Sequence, residues 1–566
     1  SAACVLAGSV LAFAVLRAKT YFLGDGYQLL SIMSSEQPLI KLRNIGGVGL
    51  PYLIAIALGD QSEGTVLLAW QVTAIGAGCL MLVAAILSAR TLLSTNLDRL
   101  LLALAVTTGG YALMFFGYVE SYALFVVTVL VYALVGVRTA DGQVNRYWIL
   151  LCWGFCSFFH IFGLVLVIPT VYLFSLRTDF EKRIASLSFG AKVVIGAAVL
   201  VAIAVLAAVA VNTSNFFMFA LIPLTDTPFS LRGYTLLSLA HLLDLVNLAI
   251  VLFPGMLIAI TAVRMSHLRA ALKQPAYRFL VVLILTCAAV VIAFDPKLGM
   301  SRDWDLFSFA GIPTVIVMTL LLLASRGGRN SSRLPVLLMI ALGMVALVSR
   351  AVILAVPDMG VRQYRTYMGL DRERNRAGSA NLVNYYKIVG DITAARLCDS
   401  TRQSTYIEER LVRLAKSHYD NSEFPQAEAL SRKAITLAPQ YAEAWLGLAR
   451  FFIATKQYDS GVVAAQIADG LNPYSPAVLT TLGNGYLFKG ELDKAESTLK
   501  KAIDLDTTAY MPLHQLAVVY LRKQDEPRYV EYLTKAVTRV RVQAVGFKEL
   551  CAFYSRKGDH ASVGKW

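Results

Sequence analysis

The stretch Pro439–Pro473, PQYAEAWLGLARFFIATKQYDSGVVAAQIADGLNP, is bracketed by two prolines 34 residues apart, and the same step recurs on both sides of it. It carries Leu414 and Ala415 onto Leu448 and Ala449, then onto Leu482 and Gly483, then onto Leu516 and Ala517. Tyr486 and Tyr520 are in phase, as are Ala434, Ala468, Ala502 and Ala536, and Trp445 takes the large aromatic position. Small residues at fixed places let two helices approach closely. A helix pair of this size cannot bury its apolar face alone, so successive pairs must stack into a solenoid.

The period is that of the tetratricopeptide repeat. Four repeats are expected over 408–566, and Leu550, Cys551, Tyr554 and Gly558 carry the phase into a partial fifth that caps the stack. Such a stack offers a concave groove for a peptide or protein segment, or else serves as a scaffold or oligomerisation surface. The polar stretch before it, with Arg372, Arg374 and Arg376, reads as linker helices over 357–407.

Upstream the composition changes. Over the 566 residues 57% are hydrophobic, 16% are charged and the mean hydropathy is +0.60, far too apolar for a chain dissolved in water alone. Most of the apolar weight lies before Val356, in runs near 1–16, 64–89, 97–117, 122–137, 147–160, 161–176, 189–211, 241–263, 279–294, 306–325 and 334–356. With roughly 20 apolar residues per span, these predict about eleven membrane spans in a helical domain over 1–356. Segment 46–58 is short and interrupted by Gly and Pro, and reads as a re-entrant or interfacial piece. The fold class expected is therefore all-α, a polytopic membrane domain followed by a repeat solenoid.

The net charge of +15 does not point to nucleic acid, because many Lys and Arg occupy short loops between apolar runs. No secretory leader is evident at Ser1, which opens directly in an apolar run. Cys4, Cys79, Cys152, Cys156 and Cys287 lie in apolar runs as small hydrophobes, and nothing pairs Cys398 with Cys551. Positive charges gather at Arg90 and Arg99, Arg138 and Arg146, Arg177 to Lys192, Arg264 to Arg278, and Arg326 to Arg333, so these loops are assigned to the cytoplasm. The repeats then face outward, into a periplasm or a lumen, from a bacterial inner membrane or an endoplasmic reticulum.

This partition places Asp25, Glu120, His160, Asp295, Asp303 and Asp305 at one membrane face. Ionisable groups at that depth are costly and usually line a cavity, so an outward-opening site is expected. Asp25 sits between glycines in Phe22-Leu23-Gly24-Asp25-Gly26-Tyr27, either a helix N-cap or a poised carboxylate. Glu120 lies between Tyr118 and Tyr122 in a tight turn, as a ligand group or an interfacial acid, and His160 is a packing or binding imidazole. In Lys297-Leu298-Gly299-Met300-Ser301-Arg302-Asp303-Trp304-Asp305, Arg302 can clamp a phosphate, Asp303 or Asp305 can bind sugar hydroxyls, and Trp304 can stack a pyranose. The two carboxylates leave a divalent cation open, and Asp305 capping the next helix is the plainer alternative. The chain contains no Gly-x-x-x-x-Gly-Lys loop, no His-Glu-x-x-His and no zinc-spaced cysteine pairs.

An acid in a long first outer loop, followed by amphipathic pieces and a C-terminal repeat domain on the same side, resembles the C-type (GT-C) glycosyltransferases that use polyprenyl-phosphate sugars. In particular it resembles the transmembrane-and-tetratricopeptide O-mannosyltransferases and their bacterial relatives. Gly24-Asp25-Gly26-Tyr27 stands where many relatives have Asp-Glu, so the second acid of that motif is absent. The resemblance implies Asp25 as catalytic base and inversion at the sugar. It also implies Arg302, with Lys297 or Arg232, on the leaving lipid phosphate, and Glu120, His160, Asp303, Trp304 and Asp305 on sugar or acceptor. The implied partners are a lipid-linked sugar donor, membrane lipids and an acceptor protein or peptide in the repeat groove, with no cofactor required. The rival reading is a non-enzymatic membrane anchor that displays repeats to an envelope complex.

Overall fold

The computed structural model describes residues 2–22, 26–34, 45–59, 62–176, 188, 221–225, 233–296, 303–324, 333–370, 376–472, 475–506, 509–539 and 544–557. Among them no β-strand occurs, and the chain is helical throughout with a C-terminal solenoid. Asp25, Lys297, Arg302 and the expected span 189–211 lie outside the described residues.

The chain divides into two units, 1–203 with 233–399, and 204–232 with 400–566. In the first, five helices are long and apolar enough to cross a membrane: Glu63–Leu92, Ala123–Ala140, Pro275–Ala293, Trp304–Ala324 and Leu334–Ala355. A sixth is obtained if Leu239–Leu252 and Met256–Ala262, bent by 91° at Phe253-Pro254-Gly255, are taken as one span. Ile45–Ala57, Trp148–Phe159 and Ile161–Ser175 are apolar but shorter. The long helices bury one face against each other and leave large side chains such as Leu285 (63% exposed) and Val345 (65%) on the other. An apolar face of this extent needs an apolar surround.

Three segments expected inside or beside spans are instead 3-10 helices: Gly110–Phe115, Ile161–Leu166 and Trp304–Ala310. The expected span 97–117 stops as an α-helix at Thr107, where the Thr107 and Thr108 hydroxyls turn back onto helix carbonyls and Gly109-Gly110 follows. Backbone that leaves the α-helix at membrane depth is tolerated only when it is buried in protein or lines a cavity. All six residues of 110–115 are buried.

Of the stretch expected as linker helices, 357–407, residues 357–399 group with the first unit. Its helices Pro357–Leu370 and Arg376–Ile388 place Tyr364 and Tyr385 around Phe22. Phe22 stacks on Tyr364 at 4.4 Å and meets Tyr385 at 5.1 Å. The polar pattern of this stretch concealed the aromatic face.

In the second unit, four antiparallel pairs follow: Ile407–Asp420 with Phe424–Leu437, Ala442–Ala454 with Tyr458–Leu471, Pro476–Lys489 with Leu492–Leu505, and Tyr510–Arg522 with Glu526–Arg539. Ala544–Arg556 packs on the last pair, in the place expected of a cap. Ala434, Ala468, Ala502 and Ala536 are fully buried, as their shared phase requires. The turn inside each pair uses a left-handed residue at the same register: Ser422 (φ 62°), Lys456 (63°), Gly490 (88°) and Gln524 (60°).

Candidate functional site

The site is built where four segments of the first unit meet. Chain 17–22 is tied down by backbone bonds, with Ala18 N–H donating to Phe116 O at 2.7 Å and Lys19 N–H to Leu354 O at 2.9 Å. Gln71 Nε2 donates to the Tyr21 hydroxyl at 2.9 Å. Gly26, the neighbour of Asp25 in the chain, is buried so closely that an added Cβ would lie 2.7 Å from Tyr21 Cβ and 3.1 Å from the Val119 carbonyl. Thus the helix Gly26–Met33 begins against the turn that carries Glu120. Tyr27 packs on Tyr21, Phe22 and Tyr385, and burial among these rings pushes its hydroxyl well above the ordinary tyrosine range, so it stays neutral.

Glu120 is 5% exposed and His160 likewise 5%. Helix Ile45–Ala57 brings their turns together, because a Cβ added at Gly47 would collide with the Ser121 carbonyl and lie 3.1 Å from the Phe159 carbonyl. The His160 ring lies 5.0 Å from Tyr122, 5.3 Å from Phe125 and 4.8 Å from Phe162. Its Nδ1 accepts from Phe162 N–H at 3.2 Å, which caps the 3-10 helix 161–166. In the neutral ring the proton therefore belongs on Nε2. Phe125 and Phe162 continue to Phe309, on the third 3-10 helix.

That helix begins with Trp304 (2% exposed) and Asp305 (1%). Asp305 Oδ1 accepts from Leu306 N–H at 3.0 Å, and Asp303 is half-buried at the N-cap. Over the indole of Trp304, at 4.3 Å, lies the guanidinium of Arg350. Arg350 is the only charged residue of the apolar helix Leu334–Ala355, and its electrostatic neighbours are Tyr367, Tyr118 and Asp305. Glu120, His160, Trp304, Asp305 and Arg350 thus belong to one continuous assembly of rings and turns at a single end of the helices.

Among the described residues, three donors in this assembly are closed to solvent and have no acceptor: Arg350 Nη1, Trp304 Nε1 and Ser308 Oγ. A buried polar group left unmade costs about 1–3 kcal/mol, more when it is charged, while one cation–π contact returns about 0.5–2 kcal/mol. The sequence reading passed over Arg350, although a lone arginine in a 22-residue apolar helix was the available signal. It also passed over His241, which is buried and hydrogen-bonded to the Tyr234 hydroxyl (3.2 Å) and the Ile292 carbonyl (3.1 Å), with the Tyr234 hydroxyl donating to Asp244 at 2.9 Å. Among the described residues no group of three or more His, Cys, Asp and Glu is placed to hold a metal ion.

The second unit carries a separate groove of about 420 Å³, lined by Tyr419, Arg450, Thr481, Asn484, Asp506 and Gln515 among others. Arg450 and Asn484 occupy the same register one repeat apart. Burial lowers the pKa of Arg450, and Asn484 Oδ1 is enclosed without a donor.

Comparison with known proteins bears on this second unit. Sequence profiles of the tetratricopeptide repeat match residues 418–464 and 476–508. The anaphase-promoting complex subunit CDC16 of Saccharomyces cerevisiae is 27% identical over 116 residues, 20% of this chain and 14% of that protein, so the chain spans about one seventh of its length. Among solved structures, the thermophilic tetratricopeptide protein TTC0263 of Thermus thermophilus is 17% identical, with 33% of this chain and 98% of that one aligned at a TM-score of 0.25. YrrB, a tetratricopeptide protein described as having an unusual peptide-binding site, is 15% identical, with 33% and 96% coverage and a TM-score of 0.23. The C-terminal part is a tetratricopeptide-repeat solenoid, on the strength of the profile matches and the helix-pair register together.

Proposed function

We propose that this chain is a membrane glycosyltransferase of the C type, with about eleven spans, an outward-facing site and a repeat domain that recruits its acceptor. The observation carrying this reading is the convergence of Glu120, His160, Trp304 and Asp305 in one buried assembly, against which Gly26, the chain neighbour of Asp25, packs. Asp25 takes the proton from an acceptor hydroxyl as that oxygen attacks the anomeric carbon, and the lipid phosphate leaves with inversion. A positioned carboxylate base contributes on the order of a hundredfold to ten-thousandfold. Trp304 and Asp305 face the sugar. The repeat groove binds an extended segment of an acceptor protein and raises its local concentration at the site.

The tetratricopeptide matches support a second reading, a membrane-anchored scaffold without chemistry. One comparison separates the two. Under the transferase reading, Asp25→Asn abolishes incorporation of labelled sugar from a polyprenyl-phosphate donor in membranes, and truncation after Asp399 reduces transfer to the protein acceptor. Under the scaffold reading, Asp25→Asn leaves the phenotype intact and only the truncation removes it. The cut belongs after Asp399, since one after Val356 would strip Tyr364 and Tyr385 from Phe22.

A further inference from the structure

We propose that Arg350 and Trp304 form the binding site for a lipid-borne phosphate headgroup at the outward end of the helical unit. This deepens the transferase reading and rests on it for the identity of the lipid; the anion site itself stands on the geometry alone. The cation usually sought for such a headgroup in a loop, Arg302, lies outside the described residues. Arg350 is different in kind, because an apolar helix carries it at depth and a buried indole holds its guanidinium at 4.3 Å.

The chemistry follows from what the surroundings lack. Arg350 Nη1, Trp304 Nε1 and Ser308 Oγ are donors shut away from solvent, and no acceptor among the described residues meets them. Trp304 and Ser308 are four residues apart on the same 3-10 helix. Such a surplus of donors around a fixed positive charge is complementary to a group with several acceptor oxygens and negative charge, which describes a phosphate. Among the described residues Asp305 is the acidic electrostatic neighbour of Arg350, and its Oδ1 accepts from Leu306 N–H. That carboxylate repels an anion placed on it, so the phosphate takes the guanidinium side. Tyr118 and Tyr367 are the other electrostatic neighbours of Arg350. Because the helix that presents Arg350 is otherwise apolar, the phosphate arrives on a lipid.

The test uses the full chain in nanodiscs with farnesyl phosphate, farnesol and inorganic phosphate as probes, read by thermal shift and native mass spectrometry. Farnesyl phosphate is expected to bind at least tenfold more tightly than farnesol or inorganic phosphate. Arg350→Gln is expected to lose that preference and Arg350→Lys to keep part of it. Should Arg350→Gln fail to fold, Trp304→Phe, which keeps the ring and removes the N–H, is expected to weaken farnesyl phosphate severalfold and leave farnesol unchanged. Equal binding of farnesol, equal binding of inorganic phosphate, or unchanged affinity in these variants overturns the proposal. Loss of phosphate binding in Arg350→Gln, with Asp25→Asn still fully functional, keeps this site and removes the transferase reading. Normal phosphate binding in Arg350→Gln, with Asp25→Asn inactive, does the opposite.

Discussion

Ser422, Lys456 and Gln524 sit with positive φ at the register where Gly490 stands in the third repeat. A left-handed backbone costs a non-glycine residue about 1–2 kcal/mol, whereas glycine gives up about 0.5–1 kcal/mol of chain entropy instead. Lys456→Gly is therefore expected to stabilise the solenoid by up to about 1 kcal/mol, and Gly490→Ala to destabilise it by a similar amount. Hydrogen exchange of the amides in Ala442–Ala454 and Pro476–Lys489 measures both. Single residues were also where sequence reasoning fell short. Averaged over the run 334–356, the hydropathy hides one arginine, and the meaning of Arg350 emerges only when Trp304 is found beneath it. His160 was legible as a polar residue at the end of an apolar run, but its capping bond to Phe162 depends on a 3-10 turn that no periodicity announces.

Helix Leu492–Leu505 shows how charge supports the repeat from outside. Glu496 receives Lys500 Nζ at 2.7 Å, Lys523 Nζ at 2.6 Å and the Tyr520 hydroxyl at 2.9 Å. The Lys500 and then the Lys523 ammonium hold its pKa at about 2. A carboxyl whose folded value lies below its unfolded value, about 4.3, stabilises the fold above that unfolded value, and the contribution is lost as pH falls toward the folded one. Amides of Leu492–Leu505 and Tyr510–Arg522 should thus lose protection between about pH 4.5 and 2 in the wild type. Glu496→Gln should lower protection at neutral pH and flatten that acid limb; an unchanged limb would reject the assignment. At this scale the repeat helices were readable because small residues recur with one period. The 3-10 helices 110–115 and 304–310 were not, because tertiary packing sets where those turns tighten.

For the molecule as a whole, the decisive long-range contact is Phe22 between Tyr364 and Tyr385. Phe22 is 1% exposed, and removing a buried phenyl ring costs about 3–5 kcal/mol. Phe22→Ala is expected to expose the first outer loop to protease in membrane vesicles and to reduce sugar transfer, while leaving the solenoid's hydrogen exchange unchanged. No local pattern could have signalled this contact. The segment 357–388 is polar enough to read as a tether, and its aromatic face acquires meaning only with a partner from the other end of the unit.

The same closure sets an order of events during synthesis. The Thr20 hydroxyl donates to Leu354 O across 334 residues, and Phe22 waits for tyrosines later still. At about 5–20 residues per second, the loop leaves the ribosome roughly 20 to 70 s before its cover exists. Throughout that interval residues 18–22 lack the Leu354 and tyrosine contacts that hold them in the folded chain, so this part of the first unit closes only when the segment that leads into the repeats has been made.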